Sequence, residues 1–112
     1  MTLDGDVYDS ETFTDLELQN TSLEDRTFYD CRFERCSLNE GRLKRSRFVD
    51  CTFSHCDLSL ADLIGADLRG ADVRGADLSQ SLFLTQVQVS SARGDRTTKL
   101  PSTIDRPSHW PG

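Results

Sequence analysis

Long apolar runs are missing from this sequence: none approaches the roughly 18–20 residues that a bilayer-spanning helix needs, so no membrane association is expected. Met1 to Ser10 hold neither a basic stretch nor an apolar one, and no signal peptide is expected there. Basic charge is in short supply. Thirteen Lys and Arg face 19 Asp and Glu, a net charge of −6, which argues against a nucleic-acid ligand held through its phosphates. The deficit is uneven: residues 1–25 carry eight acids and no base, whereas residues 26–47 carry seven bases and three acids. Histidine occurs twice, as His55 and His109, which leaves little material for acid–base chemistry. Four cysteines without an export signal point to reduced thiols in a cytoplasm, with a bacterial one as the default.

The 112 residues make one small domain whose core must be efficient. They hold a repeat of period five. Large apolar residues recur from Leu3 through Tyr8, Phe13, Leu18, Leu23, Phe28 and onward to Leu78 and Phe83, and the next step, Gln88, ends the series. Period five fits neither a helix at 3.6 nor a strand at 2. A small residue precedes most of these by two: Cys31, Cys36, Gly41, Ser46, Cys51, Cys56, Ala61, Ala66, Ala71, Ala76 and Ser81. In extended chain these two positions share a face, so both point inward and the other residues turn the corner. Gly65, Gly70 and Gly75 stand where a type II turn needs positive φ. A longer period of twenty repeats Asp30–Leu38 as Asp50–Leu58, so four sides of five residues close one square coil. Leu18, Leu38, Leu58 and Leu78 then form one interior column.

The run from Ala61 to Leu78, four Ala-Asp-Leu or Ala-Asp-Val triplets at period five, resembles the signature of the pentapeptide-repeat family. The resemblance covers roughly residues 13–85. It implies an all-β fold, a right-handed quadrilateral parallel β-helix (a solenoid) of about four coils with a non-repeat C-terminal tail. The expected division is an N-terminal cap at 1–12, the β-helix at 13–85 and a capping tail at 86–112. Arg26 falls at an inward position that cannot hold a buried guanidinium, so a distorted first coil is expected. The tail resembles a terminal segment common among bacterial members. It is read either as a strap that covers the last coil with Leu100 and Trp110 or as a partner-binding peptide.

Several motifs carry chemistry in other settings. Cys31, Cys36, Cys51 and Cys56 suggest zinc by their spacing. Four sulfurs must converge on one point for that, and here they lie in a filled interior, so no metal and no cofactor is expected. The stacked pairs 31/51 and 36/56 are near enough for a disulfide, which the compartment argues against. Asp57, Asp62, Asp67, Asp72 and Asp77 ring the coil instead of lining one face. Turn hydrogen bonds and inter-coil ion pairs are expected of them: Arg42 with Asp62, Arg47 with Asp67, Glu24 with Lys44, Asp25 with Arg45. Ser54 and His55 are not expected to form a nucleophile–base pair, because strand neighbours point opposite ways. With no concave site expected either, the chain is read as a non-enzyme.

The expected function is a protein-interaction or scaffold module whose partner is another protein. The alternative, implied by resemblance to quinolone-resistance members, is a DNA-mimicking regulator of type II topoisomerase. The uninterrupted repeat, the basic middle band and the small number of coils tell against it. The candidate interaction surface is Leu60, Ile64, Leu82, Leu84 and Trp110. Ile64 and Leu84, twenty apart, are expected on the outside of one wall near the C-terminal end. The tail is expected to cover that end, and a homodimer through it is the next arrangement.

Overall fold

A computed structural model describes residue 3 and residues 5–111. Six three-residue strands form two parallel sheets. β1 (Val7–Asp9), β3 (Thr27–Tyr29) and β5 (Arg47–Val49) stack in one; β2 (Thr12–Thr14), β4 (Arg32–Glu34) and β6 (Thr52–Ser54) stack in the other. Register is twenty throughout, with Tyr8 on Phe28 on Phe48 and Phe13 on Phe33 on Phe53. The other two walls are held by single parallel bridges, Glu17–Ser37–Asp57–Asp77 and Ser22–Arg42–Asp62–Leu82. The chain is thus a right-handed, four-walled parallel β-helix.

Longer pairing occurs where the wall sequence is Thr-Phe-Tyr, Arg-Phe-Val or Thr-Phe-Ser, because aromatic and β-branched residues suit extended chain. Inside, Phe28 and Phe48 stack at 5.1 Å with rings 9° apart, and Phe33 and Phe53 at 5.1 Å and 8°. The two columns meet edge-to-face, as Phe48 and Phe53 do at 5.1 Å and 71°. Leucines fill the facing corners, and Leu23, Leu38, Leu43, Leu63 and Leu78 are fully buried.

Corners follow from backbone chemistry. Every fifth residue from Ser10 to Leu60 adopts a left-handed φ of 52–61°, and the three glycines Gly65, Gly70 and Gly75 take over with φ of 66–76°. Between them run turn-closing bonds such as Gly41 N–H to Leu38 C=O at 2.9 Å and Ala66 N–H to Leu63 C=O at 3.0 Å.

The expected distortion at Arg26 is absent. Phe28 keeps register with Tyr8 below and Phe48 above. Arg26 is only half-buried, and its guanidinium donates to the Leu3 carbonyl at the N-terminal opening of the helix, where a cation still reaches solvent. Its neighbour one coil on, Ser46, is fully buried and closes the gap. Of the expected cap at 1–12, residues 1, 2 and 4 lie outside the described residues, and Val7–Asp9 already belongs to the ladder.

The C-terminal end departs from the five-residue count. Phe83 does not point inward: it takes a left-handed φ of 62° and is 63% exposed. The phase slips here, and a short helix α1 (Gln86–Ser90) replaces the next wall. A reciprocal capping box starts it, with Thr85 Oγ1 accepting from Gln88 N–H and Gln88 Oε1 accepting from Thr85 N–H. The Gln88 amide also donates to the Leu63 and Ala66 carbonyls at 2.8 and 2.9 Å, bonds made by a side chain across the end of that wall.

The ladder then resumes in the tail, Arg93 on Asp72 and Lys99 on Asp77, each one residue further out of step. Ala92 and Thr98 are buried where Ala71 and Ala76 sit one coil earlier. The parallel ladder therefore extends past residue 85, and residue 112 lies outside the described residues.

Candidate interaction surface

The five residues expected to form the surface divide three to two. Leu60, Ile64 and Leu82 are exposed by 40–43%. Leu84 is half-buried and packs on the core, because the slip at Phe83 turns it inward. Trp110 is buried. Its indole lies over Gly94, where any Cβ would sit 2.6 Å from the ring, and its N–H donates to the Ala92 carbonyl at 2.9 Å. The Arg106 guanidinium stacks 6.0 Å from the ring centre and donates to the Thr98 carbonyl at 2.9 Å. With Leu100 and Ile104 half-buried beside it, the tail lies across the last coil as a strap.

Phe83 and Val87, 63% and 79% exposed, belong to the same surface and were not anticipated. The counting rule put Phe83 inside. The signal that locates Val87 was present: Thr85-x-x-Gln88 ahead of Val87 and Val89 is a helix start. Leu60 and Ile64 flank Asp62 at the two ends of one wall, and Leu82 bridges Asp62 from the next coil. Ile64, Leu82 and Phe83 therefore lie toward one corner, with Leu60 at the far end of the same wall and Val87 on α1 beyond it, against only Val7 and Tyr29 exposed elsewhere among the described residues.

Charge is arranged beside this corner. Asp25 pairs with Arg45 at 2.8 Å as expected, and Asp15 with Arg35 at 2.9 Å. The other three expected inter-coil pairs do not form. The repeat aspartates close their own turns, each Oδ1 accepting from the N–H two residues on at 2.9–3.1 Å. Arg69 and Arg74, in the same turns as Asp67 and Asp72, reach those carboxylates first, at 2.7 and 2.5 Å. Their hydrogen bonds hold both carboxyls below the ordinary carboxylate range, against the opposing pull of partial burial. Arg42, Lys44 and Arg47 consequently have no carboxylate partner among the described residues. Arg42 and Lys44 lie one coil from Asp62 and Ile64 on the same wall.

The cysteines are all free and buried. Cys36, Cys51 and Cys56 donate to the carbonyls of Phe13, Phe28 and Phe33, one coil earlier, at 3.1–3.3 Å. Thr98 Oγ1 makes the equivalent bond to Val73 at 2.9 Å. Burial pushes the Cys51 thiol up to about 12, and the contact with Cys36, then burial, raises Cys56. Among the described residues, no three His, Cys, Asp or Glu side chains converge as metal ligands would.

Two expectations about the wall carrying β6 are corrected. Ser54 Oγ and His55 Nδ1 do meet, at 3.0 Å, because His55 occupies a left-handed corner (φ 54°) where strand alternation no longer applies. A shallow hollow of about 390 Å³ also lies there, between Arg32, His55, Arg74 and Thr97. Among the described residues no carboxylate hydrogen-bonds the other ring nitrogen of His55, so nothing orients this pair as a catalytic triad would.

The model of the family described as pentapeptide repeats matches residues 28–63 and 42–80, with eight copies of the repeat. A solved pentapeptide-repeat protein, Rfr23 from the cyanobacterium Cyanothece 51142, superposes with a TM-score of 0.56 at 17% identity, over 84% of this chain and 89% of that one. A trypsin-treated form of QnrB1, a plasmid-mediated fluoroquinolone resistance protein, aligns at 13% identity over 95% of this chain and 82% of that one, with a TM-score of 0.40. An uncharacterized protein of Bacillus subtilis (strain 168), YybG, is 57% identical over 30 residues, which is 27% of this chain. The match spans only 11% of YybG.

Proposed function

The chain belongs to the pentapeptide-repeat family, and we propose that it acts as a non-enzymatic protein-interaction module. The observation that carries this reading is the apolar group of Ile64, Leu82 and Phe83, with Leu60 on the same wall and Val87 on α1, exposed one or two coils from Arg42 and Lys44. Scattered exposed apolar residues need no explanation, but a contiguous group rimmed by charge marks a contact surface. The packed interior supports the non-enzymatic reading, since the hollows beside Arg74 among the described residues lie on the open surface. Free, buried thiols are in keeping with a cytoplasmic protein.

The test is affinity capture from host extract with the wild-type chain and with an Ile64→Glu/Phe83→Glu variant. Self-association counts as a captured contact and is scored by adding a differently tagged copy. The reading expects at least one specific contact, the tagged copy included, that the double variant loses while keeping its melting curve. Captured contacts indifferent to the substitutions would place the interface elsewhere.

A further inference from the structure

The acidic first coil, the basic second coil and the apolar corner stand in order along one wall, and that order restricts what can lie against it. From the N-terminal end the outward residues are Ser22 and Glu24, then Arg42 and Lys44, then Asp62 and Ile64, then Leu82 and Phe83. Beyond them Asp105 is exposed at the C-terminal end, its backbone N–H and C=O both held by the Gln86 side chain at 2.9 Å. No carboxylate pairs with Lys44, and no cation pairs with Asp105, among the described residues.

We infer that this wall is where a second copy of the chain packs, side by side and antiparallel. The inference rests on the interaction reading above and names the partner. Turning the wall over about a two-fold axis between the Ile64 and Leu82 coils sets Ile64 against the partner copy's Phe83, beside the mid-wall Asp62 and Leu82, which face each other. The same operation sets Lys44 opposite Asp105 of the other copy, and the reverse pair forms at the far side. Such an isologous contact joins an apolar centre to two ion pairs at its rim.

Other arrangements of two copies fail on the same residues. Parallel rods would face the mid-wall residues with their own copies, Arg42 on Arg42 and Asp62 on Asp62, like charge on like. End-to-end packing at the C-terminus meets the strap, where Trp110 is already buried on Gly94.

Size sets the strength. The molecule is 36 Å long and 22–23 Å across. Four coil levels at about 4.8 Å spacing on such a wall offer roughly 400 Å² per copy. The total is about half that of a standard stable interface, so the dimer is a weak and reversible one.

Sedimentation equilibrium of the full chain, from micromolar to millimolar concentration, tests this directly. A concentration-dependent dimer is expected, abolished by Ile64→Glu/Phe83→Glu at an unchanged melting temperature. Lys44→Glu should raise the dissociation constant roughly tenfold, and adding Asp105→Lys in the same chain should restore it. Orientation is read by mixing an Ile64→Cys chain with a Phe83→Cys chain under mild oxidation. The antiparallel contact gives the mixed disulfide, whereas a parallel one sets Ile64 against the Leu60 end of the other copy, gives no mixed disulfide and overturns the inference. A monomer at every concentration, or a dimer indifferent to the glutamates, overturns it as well. A strict monomer whose glutamate variant loses a different captured protein would sink the second-copy inference alone and leave the interaction reading standing.

Discussion

Removing the ring of Phe53 tests the repeat at the place where its packing is densest. Phe53 is 1% exposed, stacked on Phe33 at 5.1 Å and edge-on to Phe48 at 5.1 Å. Emptying a large aromatic site costs about 3–5 kcal/mol. Two lost aromatic contacts of about 0.5–1.5 kcal/mol each put Phe53→Ala in the upper part of that range. Domains of this size hold only about 5–15 kcal/mol in total, so the variant stands near the edge of folding. Phe53→Leu keeps most of the volume, and leucine already occupies the equivalent place on other walls; its cost should stay below about 1.5 kcal/mol. The neighbouring Ser54→Ala faces outward and should cost under about 0.5 kcal/mol. Urea unfolding of the four proteins, with the slope checked for constancy, gives the order directly. Similar costs for Phe53→Ala and Ser54→Ala would refute the inward–outward assignment on which every column depends.

The thiols give a pH prediction. Burial raises the Cys51 thiol from its ordinary value near 9.0 to about 12. Between those values the folded chain holds a proton that the unfolded chain has released, so stability should fall as pH rises from about 9 to about 12. Cys51→Ala should flatten that decline in thermal melts, and thiol titration at neutral pH should label no cysteine before unfolding. Trp110→Ala should cost about 3 kcal/mol by unseating the strap; a melting temperature unchanged within a degree or so would mean the strap does not hold the end. Gyrase supercoiling should be unaffected by the protein at micromolar concentration, because the repeat aspartates from Asp57 to Asp77 close their own turns and ring the coil instead of forming a charged stripe. Inhibition at equimolar ratio would restore the topoisomerase reading.

Most of the fold was legible because it is periodic. Each inward position is stated again twenty residues later, so one reading error is outvoted by the column it belongs to, as Phe28, Phe48 and Leu68 show. The aspartate pairs were less legible. Counting by twenty finds which residues stack but not which contact is nearer, and Arg69 beside Asp67 outcompetes Arg47 a coil away. Ser54 and His55 were misjudged for a related reason: the alternation rule holds inside a strand, and His55 is the corner residue that ends one.

The candidate surface was legible only up to the slip. Leu60, Ile64 and Leu82 precede Phe83 and fall where counting puts them, whereas Leu84 and Trp110 follow it and do not. A repeat cannot simply stop, because its last coil would leave backbone groups unpaired and core residues bare. The chain meets this by leaving the repeat: Phe83 turns out, Leu84 turns in, and the α1 wall carries Gln88, whose amide bonds the Leu63 and Ala66 carbonyls. The outward turn of Phe83 and the short helix that presents Val87 are therefore consequences of closing the solenoid, and both enlarge the apolar corner. That gives the corner two readings, a by-product of capping or a contact surface. Lys44 and Asp105 separate them, since a by-product of capping has no use for unpaired opposite charges on its two sides. If Lys44→Glu alone leaves association unchanged, the corner is explained by capping alone.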